Sequence, residues 1–349
     1  MAKKDRGSDR IRHDEESIER EYDQSADLNP RPGKRLNIKE RFSKKSNIIL
    51  KRGRVLEAYT KNYFRVKLED EEIVCPLSGR LKIVDFEKRN IVAVGDYVRV
   101  EYSQHPRIEE IEERKNSLTR YIDQGKNQLQ VLIASNIDQV IITTACAEPP
   151  LNLNLVDRYL CAVQIAEIKP IICINKIDLV EDLNLIRKQC RYYEVNGIQV
   201  LYASALTGVG IEELKEVLHG KDSVFSGVSG TGKSSLINNL DPTLDLKTAA
   251  ISKYSFKGTH TTSSSRLIPW SFGGYLIDTP GIKTFGLHKN DKSSIPRLFP
   301  GFENRALGCK FNDCNHITED GCRVMQALRR GKLPEERYHS YLNILSSLD

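Results

Sequence analysis

The chain has no apolar run approaching the length of a membrane-spanning helix, which excludes a helical membrane protein. Its N-terminus is charged from the first residues and lacks an apolar signal segment, so nothing points to export. It also lacks a disulfide framework. Of eight cysteines in 349 residues, five are scattered among apolar neighbours, as buried cytosolic thiols are. The other three, Cys309, Cys314 and Cys322, lie close together near the C-terminus. Residues 1–46 have too few apolar side chains to offset the entropy of ordering, and a disordered basic extension is expected there. Acidic residues nearly vanish between Arg31 and Arg52, where Glu40 alone faces nine lysines and arginines. A solvated tail and a nucleic-acid arm fit this run equally well.

The length suits two or three domains, and a hydrophobic fraction of 39% is enough for packed cores. The net charge of +6 tilts toward an anionic partner. Residues 47–115 carry short β-rich runs punctuated by Gly53, Gly79 and Gly95. Val98, Val100 and Tyr102 alternate with charged residues, the period of a half-buried strand. Five or so strands in this space suggest a small closed barrel, an OB-fold or an SH3-like one, which periodicity does not separate. Lys51, Arg52, Arg54, Lys61, Tyr63, Phe64, Arg65 and Lys67 mix basic and aromatic side chains as nucleic-acid-binding barrels do. Taken singly, Tyr63 and Phe64 read as core residues.

From residue 116 strands and helices alternate. Strands are expected at 137–145, 170–175 and 198–204, and helices at 155–167, 182–195 and 211–220. This is the pattern of a three-layer α/β domain with a mainly parallel sheet, which binds ligands at the carboxyl ends of its strands. The polar motifs fall at such ends. Gly227, Val228, Ser229, Gly230, Thr231, Gly232, Lys233 and Ser234 form G-x-x-x-x-G-K-S between a strand and a helix that begins with Ser235. Its glycines let backbone N–H groups approach a pyrophosphate, and the helix N-terminus adds positive potential. Lys233 would reach the β- and γ-phosphates, and Ser234 would bind Mg²⁺.

Asn175, Lys176, Ile177 and Asp178 end another strand. A carboxylate there can accept two donors from guanine that adenine lacks. Asn175 can tie loops together, and the Lys176 stem can lie over the purine. Ser204 and Ala205, followed by Leu206, supply a small backbone loop to the base edge. Asp278 ends a further strand and would hold Mg²⁺ through water, while the Gly281 N–H would meet the γ-phosphate. Thr262, ahead of Thr261, is the expected switch ligand to Mg²⁺ in a loop spanning 254–265.

These elements resemble the GTPase signature, but the base-reading motifs precede the phosphate loop. The chain therefore looks like a circularly permuted GTPase. With a barrel before it and a Cys/His cluster behind, it resembles the ribosome small subunit-dependent GTPase A family across roughly residues 47–330. Cys309-x4-Cys314-x-His316-x5-Cys322 offers three thiolates and an imidazole, a closed set for one structural Zn²⁺. In the family, zinc sits at the matching positions.

The expected division is extension 1–46, OB-fold RNA-binding barrel 47–115, permuted GTPase domain 116–286 and helical zinc-binding domain 287–349. The resemblance implies GTP hydrolysis to GDP and phosphate, stimulated by the small ribosomal subunit and its rRNA, in late maturation of that subunit. It implies a cytoplasmic protein with no membrane contact, and a monomer is expected. Ile282 occupies the place where Ras-like enzymes have a water-orienting glutamine, and cannot orient water. His260 is the substitute the resemblance suggests, against an ordinary loop histidine. Gly281 lies close ahead of the zinc-binding segment, so a shift in 279–286 would move that domain directly. Two rival functions stand beside this one: an RNA-binding protein using GTP as a structural ligand, and a signalling GTPase with a protein partner.

Overall fold

The structure is a computed structural model that describes residues 49–59, 63–84, 91–124, 127–244, 265–278 and 286–349. Five strands come first: β1 (Leu50–Ala58), β2 (Tyr63–Lys67), β3 (Glu72–Pro76), β4 (Tyr97–Glu101) and β5 (Arg107–Ile111), with helix α1 (Gly79–Val84) between β3 and β4. β1 pairs antiparallel with β2 on one side and β4 on the other, β2 with β3, and β4 with β5. A parallel bridge between Leu77 and Ile108 brings the end of β3 against β5 and closes the ring. Val55, Phe64, Val66, Cys75, Val98, Val100 and Ile108 fill its interior. The alternation read at Val98 and Val100 thus points inward, and Phe64 is core.

A hairpin, β6 (Ser117–Gln124) and β7 (Asn127–Ser135), follows. Then come β8 (Gln139–Ala145), α2 (Leu153–Ile165), β9 (Lys169–Asn175), α3 (Leu183–Val195), β10 (Gln199–Tyr202) and α4 (Ile211–Leu218). The series ends with β11 (Lys221–Ser226), α5 (Lys233–Leu240), β12 (Arg266–Pro269) and β13 (Gly274–Asp278). The strand order is β10-β9-β8-β11-β13-β12, parallel except for β12. β8 carries the run Gln-Val-Ile-Ile-Thr-Thr-Ala, buried at every position but Thr144, because helices cover both faces of a parallel sheet. Val156, Leu160 and Val163 of α2 pack on one face, and Leu214, Leu236 and Leu240 of α4 and α5 on the other. β12 is an edge on this side, and β1 lies against it, with Glu57 opposite Arg266. The barrel and the α/β sheet are therefore hydrogen-bonded neighbours.

The tail is helical as expected: α6 (Ile295–Leu298), α7 (Glu303–Ala306), α8 (Arg323–Arg329) and α9 (Glu335–Ser346). Gly331, in the left-handed region at φ 64°, and Pro334, the N-cap of α9, mark the break between the last two. Phe299, Phe302 and Tyr341 pack tilted and edge-to-face near their centre and join Val156 and Leu160 of α2 in one continuous core.

Candidate functional site

The phosphate loop leaves β11 at Ser226 and enters α5 at Lys233. Two of its glycines are required by their surroundings. Gly227 has φ 147°, and a Cβ there would lie 2.1 Å from the Thr143 carbonyl. Gly232 has φ 86°, and its Cβ would lie 2.3 Å from Asn175 Nδ2. Any side chain at Gly232 would therefore push the base-reading strand end away from the phosphate loop. Lys233 bends back over the loop, its Nζ donating to the carbonyls of Gly227 and Val228 at 2.7 and 2.8 Å. Burial lowers its pKa to about 8. Thr231 is buried and donates to the Val228 carbonyl at 3.0 Å. Ser234 and Ser235 are half-buried in the first turn of α5.

Asn175 joins three loops. Its Nδ2 donates to the Thr231 carbonyl at 2.9 Å, and its Oδ1 accepts from the Ala205 amide at 3.2 Å. The tie expected of this asparagine is present, and it locks the phosphate loop to both base-side loops. Lys176 follows in the left-handed conformation at φ 63°, and its ammonium donates to the Glu148 carbonyl. Asp178 is exposed, with one carboxylate oxygen accepting the Ser204 hydroxyl. Ser204 is itself buried and accepts from the Thr207 amide at 3.1 Å. The carboxylate is thus aimed by a fixed hydroxyl and retains lone pairs for further donors.

Three contributors are invisible to motif reading. Asn239 on α5 donates to the Ala205 carbonyl at 2.7 Å, Cys146 donates its thiol proton to the Lys176 carbonyl at 2.8 Å, and Glu148 receives Lys176. Their partners are far apart in sequence, and no local pattern marks them.

Asp278 stands at the carboxyl end of β13, two residues beyond the Ser223–Leu276 pair that sets β11 beside β13. It is therefore level with the end of β11, where the phosphate loop begins. Its contact among the described residues is Arg266 Nε at 3.3 Å. That pair is solvated, so its carboxylate suits a hydrated Mg²⁺. The other switch-side expectations, His260, Thr261, Thr262, Gly281 and Ile282, lie outside the described residues, as do residues 1–46.

Cys309, Cys314, His316 and Cys322 converge, with all four ligand atoms within 4.8 Å of one another. His316 Nδ1 faces Cys309 and Cys322 sulfurs at 3.6 and 3.4 Å, while Nε2 meets the Pro296 carbonyl at 3.0 Å. An Nε2–H donated to that carbonyl leaves Nδ1 as the ligand atom. The Arg323 and Met325 amides donate to the sulfurs of Cys309 and Cys322. Burial, helped by the neighbouring Cys322 and Cys309 sulfurs, pushes the Cys314 thiol up to about 12, a cost a dication reverses. The donor set, its orientation and its N–H···S bonds are compatible with one tetrahedral Zn²⁺.

The fold and these loops define a P-loop GTPase in which the base-reading motifs precede the phosphate loop. The family model described as RsgA GTPase matches residues 111–288. "Small ribosomal subunit biogenesis GTPase RsgA" of Flavobacterium psychrophilum is 38% identical over 299 residues, 83% of this chain and 91% of that protein. The protein of the same name from Bacteroides fragilis is 36% identical, over 82% of this chain and 94% of its own. Among solved structures, YjeQ from Thermotoga maritima superposes with a TM-score of 0.68 at 31% identity, covering 86% of this chain and 99% of that one. YloQ, titled a circularly permuted GTPase, gives 0.63 at 27% identity over 86% and 95%. The chain belongs to the RsgA GTPase family.

Proposed function

We propose that this protein hydrolyses GTP to GDP and phosphate while bound to the small ribosomal subunit, and that it assists late maturation of that subunit in the cytoplasm. The observation that carries the reading is the Asn175 tie between the phosphate loop and both base-side loops, in a chain alike over most of its length to proteins named for that role. No helix among the described residues is long and apolar enough to cross a membrane.

Asn175, Lys176, Ile177, Asp178, Ser204 and Ala205 take the guanine, and Gly227 through Ser235 with Gly281 take the phosphates. Lys233 exchanges the Gly227 and Val228 carbonyls for phosphate oxygens when GTP enters. Ser234, Thr262 and Asp278 hold Mg²⁺, which neutralises charge developing on the phosphates. His260 orients the attacking water. Cys309, Cys314, His316 and Cys322 hold one structural Zn²⁺. The closed order β1-β2-β3-β5-β4, with α1 between β3 and β4, supports an OB-fold reading of the barrel. Its basic and aromatic side chains suit rRNA, and a monomer suffices. The division at 46, 115 and 286 separates extension, barrel, GTPase and zinc-binding segments.

The test is steady-state phosphate release from GTP with and without purified small subunits. Multiple turnovers accelerated by the subunit are expected. No turnover beyond one per protein, or rates indifferent to the subunit, would overturn the reading. His260→Ala should keep GTP affinity and lose turnover on the subunit by roughly 10²–10⁴-fold.

A further inference from the structure

Four side chains stand abreast across the seam between barrel and nucleotide-binding sheet. Arg65 on β2 is directly opposite Glu57 on β1, Glu57 is opposite Arg266 on β12, and Arg266 is opposite Asp278 on β13. Directly opposed residues on neighbouring strands share one face, with Cβ atoms about 5 Å apart. Their charges alternate: plus, minus, plus, minus. A bulge makes this alignment. The β1–β2 register shifts between Val55 and Glu57, so that Glu57 and not Leu56 meets Arg65. Bulges re-aim side chains in this way.

The two outer links are closed. Arg65 Nη2 lies 3.0 Å from Glu57 Oε2, and Arg266 Nε lies 3.3 Å from Asp278 Oδ2. Arg266 therefore has a carboxylate on either side and is drawn to Asp278. Its side chain is 45% exposed and that of Asp278 is 30% exposed. Solvated pairs of this kind are held by little energy and exchange partners readily.

We propose that Arg266 is a positioning residue that moves between Asp278 and Glu57, and so carries the state of the magnesium site to Arg65 on the barrel. The proposal rests on the reading of Asp278 as a magnesium-shell carboxylate. With the nucleotide site empty, Arg266 holds Asp278 in place. When Asp278 turns to hydrated magnesium, the guanidinium swings to Glu57, whose carboxylate accepts several donors at once. Glu57 then divides its charge between two arginines. Arg65, which also reaches Glu72 at 3.4 Å, loosens and becomes available to an RNA phosphate. The barrel's hold on RNA then depends on what occupies the nucleotide site, with no displacement of either domain.

The test is a magnesium titration of GDP release, using a fluorescent GDP on the full chain. Arg266→Gln removes the competitor for Asp278 and should lower the magnesium midpoint about two- to fivefold, the size an exposed ion pair carries. Glu57→Gln leaves Arg266 nowhere else to go and should raise the midpoint by a similar factor. The double variant should match Arg266→Gln alone, because Glu57 acts through Arg266. Independent surface charges would instead give additive shifts. Additive shifts, or an Arg266→Gln midpoint equal to the parent's, overturn the proposal. Asp278→Asn tests the premise separately. If it leaves the midpoint unmoved, Asp278 is outside the magnesium shell and the relay falls for want of an input. The second readout is the ratio of small-subunit affinities in GTP and GDP at one salt concentration. It should fall toward one in either single variant, since coupling is reciprocal. An unchanged ratio overturns the link to the barrel.

Discussion

The barrel and the C-terminal lobe that carries the Cys/His cluster flank the same sheet, yet they are joined to it by different chemistry. The lobe shares its core with the sheet's helices. Phe299, Phe302, Tyr341 and Ile344 belong to one buried cluster with Val156, Tyr159 and Leu160 of α2. Within the seam, Asp157 on α2 is fully buried and paired with Arg337 on α9, which is 7% exposed. Tyr193 of α3 donates to Asp157 at 2.8 Å and accepts from Arg337 at 3.0 Å. The Tyr192 hydroxyl donates to the Pro300 carbonyl at 2.6 Å. The barrel instead keeps most of its interior separate: Leu56, Val94 and Ala58 reach the sheet's apolar cluster, and its other contacts with the sheet include several polar ones. Arg54 pairs with Asp222, Lys67 donates to the Tyr275 hydroxyl at 3.3 Å, and the Glu57 and Arg266 backbones stand opposite across one rung of the strand pairing. At its foot, buried Asp96 accepts from Arg114 at 2.7 Å and from the Ser135 hydroxyl at 2.5 Å.

Shared apolar core makes two segments one cooperative unit, whereas a polar seam leaves each its own stability. The lobe should therefore move with α2 and α3, and the barrel should be the part that shifts independently. The expectation that a change in 279–286 moves the zinc-binding lobe directly meets an obstacle here. Such a motion would have to open a buried core and uncover the Asp157–Arg337 pair. The adjustable contact is on the other side, at β1 and β12.

The largest expected effect comes from the metal. Structural zinc binding contributes about 10–16 kcal/mol in zinc-finger peptides. Chelation should therefore loosen 309–322 and, through the shared core, raise hydrogen exchange in α2 and α9, while β1–β5 stay protected. Nucleotide binding should survive, because the ligands lie outside the phosphate loop. Equal loss of protection in the barrel would erase the contrast between the seams, and zinc-free protein from a chelator-free preparation would remove its basis.

Next is the buried pair. Arg337→Met leaves the Asp157 carboxylate without its partner and should cost about 3–5 kcal/mol in denaturant unfolding. Arg337→Met with Asp157→Leu should recover most of this, since two apolar groups replace two charges. A small effect of the single variant would mean that the seam is wetter than its burial indicates.

Acidity sharpens the same seam. Burial pushes the Asp157 carboxyl up to about 6, against the pull of Arg337. An acid with a raised folded pKa binds its proton more tightly when folded. Its contribution to stability therefore falls as pH rises from about 4 through about 6. The parent's unfolding midpoint should lose this component across that window, and Asp157→Asn should show a flatter profile. Identical slopes in both proteins would assign the acid response to other groups.

Much of this site was legible because its chemistry is local. The phosphate loop, Asn175 to Asp178 and the Cys3His spacing are contiguous, and each needs its residue types at fixed offsets. Strands β8, β9 and β13 were marked by apolar runs ending in polar motifs. What escaped is what distant residues create together. Asp157 and Arg337 are 180 residues apart, and each alone reads as a helix-surface charge. β12 is four residues long with a proline, too short to show a period. The hairpin β6–β7 escaped although Gly125 and Lys126 lie between its strands in the sequence, because its strands carry no clean alternation. The charge row from Arg65 to Asp278 exists through strand register and one bulge, neither of which composition encodes.

The smallest expected effect is at the barrel seam. Arg54 pairs with Asp222 and lies over the rings of Tyr97 and Tyr275, 5.2 Å from each centroid. Burial raises the Asp222 carboxyl, and Arg54 opposes that rise. Arg54→Ala should therefore cost about 1–2 kcal/mol, the loss of one charged hydrogen bond and its ring contacts. The Asp222 amide and carbonyl keep their bonds to Asp138 at 3.0 Å, so β11 itself should hold. The damage should appear as faster exchange at the β1–β12 edge, with α9 unchanged. Asp222→Asn added to Arg54→Ala should return part of the loss, because the abandoned charge is gone. If Arg54→Ala instead destabilises the chain as much as Arg337→Met, the barrel is built into the sheet as firmly as the lobe. The relay through Arg266, which needs no displacement of either domain, would still act through the Arg65 side chain.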